Sequence, residues 1–64
     1  MTNNTAAKTR AIEAKANEIE DQAGSIAVTA KYTEDKELRA ELYAQVDELH
    51  RQANLLWDSI YEID

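Results

Sequence analysis

Two columns of apolar residues, each repeating every seven positions, govern the first half of the chain. Ile12, Ile19 and Ile26 form one column; Ala16, Ala23 and Ala30 form the other. The steps between them alternate four and three, which is the seam of a coiled coil rather than the broad face of an ordinary surface helix. Thr5 and Thr9 continue both columns upstream. Because the seam is half alanine it is thin, and a second helix can approach it closely. The second half repeats the pattern with larger residues: Leu42, Val46, Leu49, Ala53, Leu56, Ile60 and Ile63. The two seams are out of phase. Extending the first beyond Ala30 places core positions at 33, 37, 40, 44 and 47, whereas the second uses 42, 46 and 49.

The phase slips by two residues near "AKYTED". A turn is expected there, with Thr33 as N-cap of the second helix and Glu34 and Asp35 in its first turn, where acids suit the helix dipole. One long helix carrying a stutter is the alternative, since no glycine or proline marks the break. Elsewhere the composition favours helix: no proline, one glycine (Gly24) and eleven alanines. Thr2 to Thr5 offer N-caps for the first helix. Asp35–Arg39 and Asp47–Arg51 are acid-before-base pairs at i,i+4. Gly24 costs about 1 kcal/mol against alanine unless it permits a close backbone crossing. The expected fold is therefore all-α, one domain over 1–64, with helices over about 5–31 and 34–63 and a turn at about 31–33. Helices of nearly equal length suit an antiparallel hairpin. That arrangement sets the basic start of the first helix (Lys8, Arg10, Lys15) beside the acidic end of the second (Asp58, Glu62, Asp64).

Sixty-four residues bury only about 60% of the surface of the unfolded chain, so such a domain needs support. With no cysteine, disulfides and thiolate metal sites are excluded. Pairing two hairpins into a four-helix bundle is the ordinary solution, so a homodimer is expected. In architecture this resembles the Rop family of plasmid copy-number RNA-binding proteins, dimeric helical hairpins of similar length. Rop-type proteins bind RNA through a helix face bearing basic and aromatic residues. The first helix here has no aromatic residue before Tyr32, so RNA binding is not carried over.

The formal net charge is −6, all of it in the second half: residues 1–32 carry four bases and four acids, and residues 33–64 three bases and nine acids. Such a chain repels phosphate backbones, which disfavours nucleic acid and leaves two readings of the acid: solubility, or a surface that meets a basic protein. No apolar run approaches the roughly 18 residues of a membrane span, and no apolar segment of signal-peptide type stands near Met1, so a cytoplasmic location is expected.

The stretch "YAQVDELHRQANLLW" sets Tyr43, His50 and Trp57 seven residues apart, each one position after a seam leucine. This flank is expected to be a contact surface, either widening the buried helix–helix face or docking another protein, since tyrosine and tryptophan concentrate in binding hot spots. Tyr61, with Leu55, Trp57 and Ile60, extends it toward the C-terminus; Glu41 and Glu48 share an acidic flank of the same helix. Asp47 and His50 have the i,i+3 spacing of di-iron helical bundles, but Asp47 points away from the seam. One histidine, two serines without evident partners and no phosphate-cradling loop give little to catalysis. The expected role is that of a non-catalytic protein without cofactor, which binds a protein partner and inhibits or regulates it stoichiometrically, as mobile-element anti-restriction and anti-CRISPR inhibitors do. A coiled-coil adaptor and a Rop-like nucleic-acid binder using Lys8, Arg10 and Lys15 are the alternatives.

Overall fold

The computed structural model describes residues 4–63, with side chains from 5 to 62. Two α-helices of 28 residues each, α1 (Asn4–Lys31) and α2 (Lys36–Ile63), fold back on one another as a helical hairpin, and no strand occurs among the described residues. The single long helix is thereby excluded. The molecule is a rod of 55 × 16 × 9 Å. Its radius of gyration is 15.3 Å, against about 11 Å for a compact domain of this length.

Hydrogen bonds in the connection close α1 and open α2. At the end of α1 the Tyr32 and Thr33 amides donate to the carbonyls of Thr29 and Ala30 at 3.2 and 3.1 Å, tightening the last turn toward 3₁₀ geometry. The Thr33 hydroxyl donates back to the Thr29 carbonyl at 2.7 Å. Thr33 therefore closes α1 and is not the N-cap of α2. That role belongs to Asp35, whose carboxylate accepts from the Glu37 and Leu38 amides at 2.9 and 3.2 Å while its carbonyl takes the first helical bond, from Arg39, at 2.9 Å. A carboxylate outcompetes a hydroxyl there because it also meets the positive end of the helix dipole. Asp35 is thus engaged as a cap rather than as an i,i+4 partner of Arg39. At the other end, α1 already includes Thr5, which is therefore no cap; Thr2 and Asn3 lie outside the described residues.

The helices meet along their small residues. Ala16, Ala23 and Ala30 have no exposed surface, Ala53 has 1%, and Ile19 and Val46 have 7% each. The larger seam residues Ile12, Ile26, Leu42, Leu49, Leu56 and Ile60 are only half-buried. The alanine column of α1 and Val46 and Ala53 of α2 let the backbones approach. Ile19, midway along the neighbouring column of α1, is covered with them, whereas Ile60, the next residue of the Val46–Ala53 column, stays half-buried at the open end. In an antiparallel pair, the neighbouring columns of both helices then fall on the same side. Ile12 and Ile26 join Leu42, Leu49 and Leu56 there as one partly uncovered aliphatic face. Ile63, whose side chain is not described, continues this column in sequence.

Gly24 is exposed, takes a negative φ, and a Cβ built on it meets nothing within 4 Å. It permits no close crossing. Gly24→Ala is accordingly expected to stabilise the hairpin by about 1 kcal/mol, read as a raised denaturation midpoint in urea at unchanged slope.

Candidate functional site

The aliphatic face and the aromatic flank lie on opposite sides of the hairpin. The aliphatic side carries a shallow cleft of about 290 Å³ lined by Gln22, Ile26, Gln45, Glu48 and Leu49. The other side carries a cleft of about 300 Å³ lined by Glu13, Trp57, Ile60 and Tyr61. It lies at the open end, where the start of α1 runs beside the end of α2.

Trp57 is half-buried, and its indole Nε1–H donates to Glu20 Oε1 at 2.7 Å across the helix pair. This bond fixes the ring beside the second cleft. Glu13 and Glu20 are seven residues apart, on the flank of α1 that faces the Tyr43–His50–Trp57 flank of α2. Their heptad position, immediately beyond the alanine column in the order of the helical wheel, was the available signal for them; the acid balance of the first half, which nets to zero, obscured it. Tyr61 stands beside Trp57 in the cleft and is 79% exposed. Tyr43 is 43% exposed and His50 is exposed. Both stay on the same flank, His50 one heptad and Tyr43 two heptads from Trp57 toward the loop, outside the cleft.

Glu41 and Glu48 do not join this edge. They lie two residues before Tyr43 and His50, roughly 200° around the helix. Glu48 is committed elsewhere: Arg51 donates to both of its oxygens, with an Nη2–Oε1 contact of 2.6 Å. Those hydrogen bonds hold the Glu48 carboxyl below the usual carboxylate range. Arg51 therefore pairs with Glu48 at i,i+3 rather than with Asp47 at i,i+4. Both side chains remain in solvent, where such a pair contributes little to stability. Among the described residues this is the one ion pair, so none joins Lys8, Arg10 or Lys15 to Asp58 or Glu62.

Comparison of the chain with protein-family models, with curated proteins and with solved structures gives no match. The reading of the site therefore rests on its chemistry. Among the described residues no group of three or more histidine, aspartate or glutamate side chains is placed to hold a metal ion, and no helix is long and apolar enough to cross a membrane. Ser59 donates its hydroxyl to the Leu56 carbonyl at 2.6 Å, a helix-internal bond that occupies its proton. What the open end offers is two aromatic rings, an aliphatic side chain and a carboxylate around a shallow recess.

Proposed function

We propose that this protein is a non-catalytic helical hairpin that dimerises through its aliphatic face and binds a basic protein surface through the opposite, aromatic edge, regulating or inhibiting that partner by occupancy. The observation that carries the reading is the segregation of uncovered surface. Half-buried Ile12, Ile26, Leu42, Leu49 and Leu56 gather on one side, and Trp57, Tyr61 and Tyr43 gather with Ile60, Glu13 and Glu20 on the other. The first surface suits a second copy of the chain. The second mixes rings and carboxylates, as surfaces that meet partners with arginine and lysine do.

The elongated hairpin leaves room for a dimer interface: its 5012 Å² of exposed surface exceeds the area of a compact protein of 7.2 kDa, about 4,100 Å². A two-hairpin bundle formed on the aliphatic face leaves both aromatic edges outward.

Tyr61→Ala tests the partner-binding half of the reading. At 79% exposure the ring contributes little to the fold, so stability should stay within about 0.5 kcal/mol of wild type. Affinity for a partner co-purified from the source cell and then identified should fall by about 2 kcal/mol, with association slowed as salt is raised. A partner bound equally well by wild type and variant, at a rate indifferent to salt, would remove the aromatic edge from the mechanism.

A further inference from the structure

We infer that the open-end cleft of Glu13, Trp57, Ile60 and Tyr61 is a receptor for one arginine side chain of the protein partner. This deepens the protein-binding reading above and rests on it. The cleft measures about 300 Å³, the lower limit for a small-molecule site, which suits a single side chain. Its chemistry selects among side chains. Leucine or phenylalanine would cover Glu13 and leave a carboxylate without a hydrogen-bond donor, at a desolvation cost. Aspartate or a phosphate would meet Glu13 and nearby Glu20 as like charges. Lysine would satisfy the charge, but its ammonium is a strongly hydrated point charge. A guanidinium is planar and weakly hydrated. It can stack on an aromatic ring while donating two parallel hydrogen bonds to a carboxylate. The cleft supplies both elements.

Two further features favour a preformed receptor. The Trp57 ring is held by its 2.7 Å bond to Glu20, so less side-chain freedom is lost on binding. Glu13 is free to accept: Arg10, three residues before it on α1, makes no ion pair with it, and the described ion pair is Glu48–Arg51. Glu20 is a positioning residue for the indole, and Glu13 is the group that meets the ligand.

The test uses three capped peptides, N-acetyl-Gly-X-Gly-amide with X as arginine, lysine or citrulline, titrated into the ¹⁵N-labelled protein. The arginine peptide should move the Trp57 indole N–H and the amides of Glu13 and Tyr61 along a saturable, millimolar curve, about the affinity expected of one side chain. The lysine peptide should bind about fivefold more weakly, and citrulline, which keeps the shape but not the charge, should give no saturable shift. Glu13→Gln and Tyr61→Leu should each weaken the arginine peptide about fivefold or more, whereas Glu18→Gln, on another face of α1, should not. Both positions are exposed, and amide dispersion reports folding for every variant. Equal shifts from arginine and citrulline would overturn the inference in favour of an apolar recess. Shifts confined to Glu41, Asp58 and other acidic positions would overturn the arginine receptor while leaving a diffuse acidic docking surface intact. No shift anywhere up to about 50 mM peptide would overturn both.

Discussion

Ile19→Ala is expected to cost about 2–5 kcal/mol of folding stability, the range for emptying a buried aliphatic position. Ile19 is the one isoleucine of α1 that the hairpin buries by itself, at 7% exposure, and it is flanked by Ala16 and Ala23, which have no exposed surface. Those alanines leave little material to collapse into the cavity, so the loss should fall toward the upper part of the range. A domain below about 70 residues rarely holds more than 3–5 kcal/mol in its core, so the variant should be substantially unfolded at 25 °C. Helical circular dichroism with urea titration provides the measurement. Leu55→Ala is the internal control: Leu55 is 55% exposed and lies away from the seam, so its loss should stay near 0.5 kcal/mol. Similar losses at both positions would show that the helices do not meet along the alanine columns.

Leu49→Glu should abolish self-association. Leu49 stands midway along the aliphatic face and lines its cleft with Ile26. A second hairpin packed there would have to bury the introduced carboxylate without a partner, at a cost of several kcal/mol. Within one hairpin Leu49 is only half-buried, so the new charge can reach water and the helices can persist. Sedimentation equilibrium at micromolar concentration should give a dimer for wild type and a monomer for Leu49→Glu. The wild-type Tm should rise with protein concentration and the variant's should not, because only the former couples folding to association. Tyr61→Ala, on the other side, should leave the dimer intact. Wild type sedimenting as a monomer of one hairpin at these concentrations would exclude the bundle. A dimer that survives Leu49→Glu but is lost with Tyr61→Ala would place the interface on the aromatic edge.

Periodicity alone determined that both halves are helical and which residues form each seam; that they are two helices folded back on one another, rather than one long helix with a stutter, was decided by the structure. Helical wheels depend only on spacing, and alternation of four and three leaves no other conformation able to align Ile12, Ala16, Ile19, Ala23 and Ile26 on one side. The phase slip near Thr33 was legible for the same reason, but a stutter in one helix produces the same slip, so spacing did not by itself choose the turn. The chemistry of the turn was not legible. Thr33 and Asp35 are both good capping residues, and the choice was made by the end of α1, whose Thr29 carbonyl takes the Thr33 hydroxyl and leaves Asp35 to cap α2. The aromatic flank could likewise be read from the seven-residue spacing of Tyr43, His50 and Trp57. Which carboxylates accompany it depended on the antiparallel pairing. That pairing sets Glu13 and Glu20, distant in sequence, beside Trp57, and leaves Glu41 and Glu48 on the other side of α2. Tertiary structure also decided which seam residues are covered. Spacing treats alanine and leucine columns alike, but backbones approach most closely where side chains are smallest. The alanines therefore take the centre, and the seam leucines are left half-buried at its edge.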